Sequence, residues 1–387
     1  MKITFYSNFL NLHQLPMCEA FLSLPDVNFK FVACTPIPEE RIRMKYEDMN
    51  HKYDFVLCSY ENDESYANAM ELALSSDVAI FGSTDLRFLY ARMDKNLLSF
   101  RYCERALRKG AWRRFIPSTA LKIYREYTRY RNKHLYIMSA SAFTSHDLEI
   151  CGFNSSKCIK WGYLPAVTKF DDIGHLIMQK KHNHIVWVGR FIECKHPEFA
   201  VEAARRLKSK GVDFTLDFIG NGELLENTKK AVEKYHLDDR VKFLGSLTTE
   251  EVRKKMEEAS VFIFNSDRYE GWGAVVNEAM NSACAVLVSH VVGSAPFLIK
   301  HGYNGLVYEY GNIDEFTVSL ISYLTTPEMV KEFGRNAYKT MTEIWNADIA
   351  VSRLHDILIQ MKEDKSISLF QEGPCSIAEI YKTNWYK

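Results

Sequence analysis

Tyr269-Glu270-Gly271-Trp272-Gly273-Ala274-Val275-Val276-Asn277-Glu278-Ala279-Met280 is the stretch on which the reading of this chain turns. It follows a β-rich run, Val261–Phe264, and opens a helical pattern over Ala274–Ala283. Two glycines let the backbone come close to a ligand. A helix N-terminus offers unpaired N–H groups and the positive end of a dipole, which together make an anion site. Glu278 stands among Val275, Val276, Ala279 and Met280, so its helix is largely apolar. A carboxylate there needs a partner, and a ribose diol suits it. Glu270, in the loop, is placed to reach sugar hydroxyls. Taken alone, both glutamates read equally well as helix-start acids favoured by the dipole.

Working outward, the second half repeats the same strand–turn–helix unit. Runs at His184–Val188, Phe214–Ile219, Val241–Leu244 and Ala285–Val288 read as strands, with helical patterns at Pro197–Lys208, Glu223–Tyr235 and Thr249–Ala259. Val188-Gly189-Arg190 ends the first of these strands, and Lys195 follows five residues after Arg190. Ligands of open α/β sheets sit at the carboxyl ends of strands, which puts Arg190 and Lys195 on the same rim as Glu270 and Glu278. Two cations there suit a diphosphate, the arginine as a forked donor and the lysine as a point charge. Gly220-Asn221-Gly222 and Gly245 close two further strands. Each is either a plain tight turn or a source of backbone groups for a ligand.

The first half alternates in the same way. Lys2–Tyr6, Phe29–Cys34, Phe55–Cys58, Val78–Phe81, Leu135–Met138 and Cys158–Trp161 read as strands and Leu15–Leu24 as a helix. The expectation is α/β with parallel sheets in two Rossmann-like domains. One is placed at residues 1–165, a linker at 166–183, and the second at 184–345. The tail, 346–387, is expected to pack back on the first domain, with a helix over Ala347–Lys362. His13, just past the first strand, is a candidate contact to a sugar or an acceptor, or a surface histidine at a helix start.

Bulk composition fits this picture. With 387 residues, two domains are the first expectation. Lys plus Arg and Asp plus Glu both number 49, which argues against wholesale nucleic-acid binding. The 9 cysteines are scattered with no C-x-x-C pair, as free thiols in a reducing compartment are, and no zinc site or disulfide framework is read from them. Met1–Leu10 lacks the long apolar core of a signal peptide, and no run of about 18 apolar residues occurs. A cytoplasmic protein is expected. Between Arg101 and Lys133 lie 11 Lys or Arg against only Glu104 and Glu126, with Trp112, Phe115, Tyr124, Tyr127 and Tyr130 among them. This reads either as a patch for an anionic membrane surface, with Arg113, Arg114, Arg125 and Arg129 as its contacts, or as a solvated helix face over core aromatics.

From His184 to about Trp345 the chain resembles retaining glycosyltransferases of family four, which have the GT-B fold. The residues that carry the resemblance are Gly189, Arg190, Lys195, Gly220-Asn221-Gly222, the Glu270 and Glu278 pair, and Asn304-Gly305-Leu306-Val307. The first half resembles bacterial members that build surface polysaccharide, such as capsule. The resemblance implies two domains facing a cleft and a nucleotide-sugar donor, a UDP-sugar by preference. Arg190 and Lys195 would hold the diphosphate, Glu278 the ribose, and Glu270 with the amides of Gly271, Trp272 and Gly273 the transferred sugar. It implies a lipid-linked saccharide acceptor, no cofactor and no metal, and the sequence holds no Asp-x-Asp motif. Asn265 stands where the family often has proline, and Ser294 and Phe297 where a glycine and a glutamate are frequent. Two other readings share the fold: a non-hydrolysing sugar-nucleotide epimerase, and a binding partner without turnover.

Overall fold

The computed structural model describes residues 1–39, 42, 47–363, 368–382 and 384–387. Its chain forms two compact units, one of Met1–Ala166 with Ala347–Ile380, the other of Val167–Asn346 with Tyr381–Lys387.

The first unit holds β1 (Lys2–Ser7), β2 (Asn28–Ala33), β3 (Val56–Cys58), β4 (Val78–Phe81), β5 (Ser99–Cys103), β6 (Leu135–Ser139) and β7 (Cys158–Lys160). They form one parallel sheet in the order β3-β2-β1-β4-β5-β6-β7. The second unit holds β8 (Lys181–Val188), β9 (Thr215–Ile219), β10 (Val241–Phe243), β11 (Ala259–Phe264), β12 (Ala285–Ser289) and β13 (Gly305–Tyr308), in the order β10-β9-β8-β11-β12-β13, again all parallel. Parallel strands covered by helices on both faces read as unbroken apolar runs. Ala259-Ser260-Val261-Phe262-Ile263-Phe264 of β11 is buried throughout.

Strand order reverses between β1 and β4 in one sheet and between β8 and β11 in the other. Such reversals open a crevice at the carboxyl ends of the two central strands. In the second unit the loops flanking it are Gly189–Lys195 and Asn265–Gly273, which carry the charged candidates. In the first unit they carry His13.

The fold corrects several expectations. Segment 166–183 is no plain linker: the second unit starts at Val167, and Ile173–Gln179 is a helix whose N-cap Asp172 accepts from the His175 amide at 3.0 Å. Ile177 of that helix packs with Ala283 and Tyr338. Helix Ala347–Lys362 does belong to the first unit, but Tyr381–Lys387 goes with the second. Trp385 donates to the His290 carbonyl at 3.1 Å and Lys387 pairs with Glu309 at 3.3 Å. Strand β5 was missed because its sequence, Ser-Phe-Arg-Tyr-Cys, carries Arg101. Arg92, fully buried, was also invisible to periodicity. Its guanidinium donates to the carbonyls of Ala73, Ser76, Asp77 and Leu98 and to the Ser99 hydroxyl, at 2.6–3.3 Å, which offsets the cost of burying a charge.

Candidate active site

The loops after β8, β9 and β10 are tied to one another through their backbones. Gly189 N–H donates to Ile219 O at 3.0 Å, Phe191 N–H to Asn221 O at 2.9 Å, and Gly220 N–H to Gly245 O at 2.8 Å. Gly220 has φ +133°, and a Cβ there would stand 1.9 Å from the Gly189 carbonyl oxygen. A Cβ on Gly222 would meet Phe191 O at 2.5 Å. These glycines are therefore demanded by loop-on-loop packing. The Gly220 amide and the Gly245 carbonyl are spent on each other.

Arg190 is exposed just past β8, and among the described residues no carboxylate pairs with it. Lys195 is half-buried. Its ammonium lies over the Phe264 ring at 4.6 Å from the centroid and pairs directly with the Glu270 carboxylate. The sequence left these two as separate candidates; the structure joins them.

A clamp unseen in the sequence holds the Lys195 loop. His196 adopts the left-handed conformation, φ 47°, before Pro197 opens the next helix. Its carbonyl accepts from the Asn265 side-chain amide, and Asn265 Oδ1 accepts from Trp187 Nε1 at 3.1 Å. The Asp267 amide donates to Cys194 O at 3.0 Å. The imidazole sits between Glu198, 2.7 Å from Nδ1, and Asp267, 3.4 Å from Nε2, with Tyr310 Oη 3.0 Å from Nε2. Hydrogen bonds to Asp267 and then Glu198 push its pKa up to about 9. The signal was present as the Asn-Ser-Asp run that follows β11, but partners 69 and 71 residues away cannot be read from it.

Gly273, φ +85°, caps the helix Ala274–Asn281. Trp272 is fully buried, its indole donating to Asn277 Oδ1 at 2.9 Å and packing with Phe297 and Trp345. The ring is core, so what Trp272 offers a ligand is its backbone amide, the group on which its reading as a donor contact rests. Phe297 stacks on Trp345 at 5.8 Å, so the residue that departs from the family's glutamate completes an aromatic cluster. Glu278 is half-buried on the same helix and makes no hydrogen bond among the described residues. Burial pushes its carboxyl up to about 7, with the Arg253 guanidinium working in the opposite direction.

In the first unit, His13 is half-buried, its ring 6.0 Å from that of Tyr163. The basic segment divides. Arg101 is buried on β5 and paired with Glu126 at 3.0 Å, Arg105 grips Asp147 with two hydrogen bonds, and Arg129 lies over Tyr90 and Tyr130. Tyr127 and Tyr130 are core. Trp112, Phe115 and Tyr124 are the aromatics left outside, 61%, 74% and 54% exposed. Arg113 and Arg114 lie over the first two rings.

Two doubly wound parallel sheets of this kind are the GT-B architecture. A solved chain described as Anabaena Alr3699/HepE in complex with UDP superposes with TM-score 0.69 at 13% identity, covering 93% of this chain and 100% of that one. The apo lipopolysaccharide outer core galactosyltransferase WaaB gives 0.66 at 17%, covering 94% and 100%. Residues 170–340, within the second unit, match the family described as Glycosyl transferases group 1. The amylovoran biosynthesis glycosyltransferase AmsK of Erwinia amylovora is 30% identical over 179 residues, 45% of this chain and 44% of that protein. The matched stretches span less than half the length of the curated relatives.

Proposed function

We propose that this chain transfers a sugar, with retention of anomeric configuration, from a nucleotide-diphosphate donor to a saccharide acceptor in bacterial surface-polysaccharide synthesis. The carrying observation is the rim of the second sheet, where exposed Arg190, the Lys195–Glu270 pair and half-buried Glu278 flank the β8/β11 crevice. In this reading Arg190 grips the diphosphate. The incoming phosphate competes with Glu270 for Lys195, and the released carboxylate turns to the sugar hydroxyls. Glu278 accepts from the ribose diol, and the amides of Gly271 to Gly273 face the sugar. As the glycosidic bond breaks, charge gathers on the leaving phosphate. Fixed cations and helix N–H groups stabilise that charge without reorganising, and the reading calls for no metal in the transfer. A UDP-sugar is the favoured donor, supported by the complex of the Anabaena protein with UDP.

Trp112, Phe115 and Tyr124, interleaved with Arg113, Arg114 and Arg125, support a peripheral site on an anionic membrane carrying a lipid-linked acceptor. A thermal-shift panel of UDP-, GDP-, ADP- and dTDP-sugars tests the donor. A ligand at about 100 times its dissociation constant adds about 2.7 kcal/mol. Stabilisation by none of the four would overturn the donor site.

A further inference from the structure

We propose that the first unit carries a divalent-metal site of the zinc class, formed by His51, Cys58 and Glu61. Each offers one ligand atom, and the three atoms lie within 4.8 Å of one another. Cys58 ends β3, the edge strand of its sheet, Glu61 follows three residues on, and His51 comes from the loop that leads into the strand. Much of the frame around them hangs on Asn50. Asn50 is buried, accepts from the Leu10 amide at 2.9 Å, and donates to Thr35 O at 3.4 Å and Tyr60 Oη at 3.2 Å. Its own carbonyl takes the Cys58 thiol at 3.8 Å.

The imidazole is oriented as a ligand would be. Nδ1 lies 3.2 Å from Asp48 Oδ2 and Nε2 lies 2.8 Å from Glu61 Oε1. Metal-bound histidines characteristically give their other N–H to a carboxylate. Without metal a proton bridges Nε2 and Glu61; once an ion displaces it, Asp48 keeps the Nδ1 proton and Nε2 presents its lone pair on the side that holds Glu61 and Cys58. Asp48, His51 and Glu61 form an exposed ion cluster, and the buried Cys58 thiol, donating to the Asn50 carbonyl, lies beside it. Thiolate, imidazole and carboxylate together select a borderline-soft ion such as Zn²⁺. Tetrahedral bonds of about 2.0–2.3 Å put ligand atoms roughly 3.3–3.8 Å apart. Side-chain movement of His51 and Glu61, 58% and 42% exposed, is enough to close the site. On binding, the S–H bond breaks and the proton between His51 Nε2 and Glu61 is displaced, metal–sulfur, metal–nitrogen and metal–oxygen bonds form, and both protons leave to solvent, so one thiolate and one carboxylate balance the two positive charges. Water takes the fourth position. The ion fastens the loop to the sheet edge and is independent of the donor site in the second unit.

Co²⁺ is the probe. At one equivalent the wild-type protein is expected to show a thiolate-to-cobalt charge-transfer band and the strong visible bands of tetrahedral cobalt, both abolished by Zn²⁺. Cys58→Ser loses the charge-transfer band. Asp48→Asn keeps it but binds roughly 10–100-fold more weakly. His51→Ala, at an exposed side chain, leaves the fold intact and removes tight binding. The proposal is overturned by the absence of the thiolate band in wild type, by its survival in Cys58→Ser, or by unchanged affinity in His51→Ala.

Discussion

Arg190 has no partner of its own among the described residues, so its role can be separated from stability. Arg190→Ala is expected to lower turnover by roughly 10²–10³, as for loss of one preorganised donor, with an unchanged melting temperature. Full activity would remove it from the site. Glu278 offers a pH signature. Its carboxyl is held near 7 by burial, and a charged acceptor bonds a hydroxyl more strongly than a neutral one. Affinity for a nucleoside diphosphate should therefore rise as pH climbs from 6 to 8. In Glu278→Gln it should be weaker by about 1–3 kcal/mol at the upper end and flat with pH; calorimetry at several pH values checks both. For His196, raised to about 9 by Asp267 and Glu198, the sign is opposite to that of a depressed acid. Its folded pKa exceeds the unfolded value of about 6.5, so its stabilisation is complete below that value and lost as pH rises through 9. His196→Gln should lower the melting temperature at pH 6 and do so much less at pH 9.5.

At the scale of elements, the turn Ala111–Phe115 and helix Pro117–Glu126 carry the membrane hypothesis. The helix buries Ile123 and Glu126 and leaves Leu121 and Tyr124 outside. Each cation near an anionic leaflet contributes about 1 kcal/mol, screened by salt. Wild type is expected to sediment with anionic liposomes at low salt and to be released as salt rises. Arg113, Arg114 and Arg125 changed together to Glu should stay soluble. Arg129 is better left alone, because it is stacked between two tyrosines. A wild type that ignores such liposomes ends the idea. Sequence composition had shown this patch, yet it counted Arg101, Arg105, Tyr127 and Tyr130, which ion pairing and burial remove. Charge density along a chain does not say which charges face each other.

For the whole molecule, the C-terminal helix is the part most exposed to test. Ala350, Val351, Leu354, Ile357 and Leu358 of Ala347–Lys362 are buried, and the helix belongs to the unit that begins at Met1. Fully burying one such aliphatic side chain contributes about 1.5–3 kcal/mol. Losing four approaches the roughly 5–15 kcal/mol that holds a domain folded. A chain ending at Asn346, which also lacks the Tyr381–Lys387 segment of the second unit, should therefore lose the cooperative melting of the first unit, while trypsin still releases a resistant fragment from the second. Two separate resistant units in the truncated chain would show the helix to be dispensable. Among the described residues no helix is long and apolar enough to cross a membrane.

By itself the sequence determined the α/β class, most strands within a residue or two, the helix Ala347–Lys362, and the order of Gly189, Arg190, Lys195, Glu270 and Glu278. These follow from local physics: parallel strands buried on both faces write themselves as apolar runs, and glycines mark where backbone turns sharply. Tertiary structure alone decided that Lys195 answers Glu270, that Asn265 and Asp267 hold the loop of His196, that the Trp272 indole is core, and that His51, Cys58 and Glu61 share one corner. It also decided that Gly220 is glycine for the sake of Gly189. Each of these is a contact between residues set beside each other by strand order, and strand order reverses at β1/β4 and β8/β11 in a way that no local pattern records.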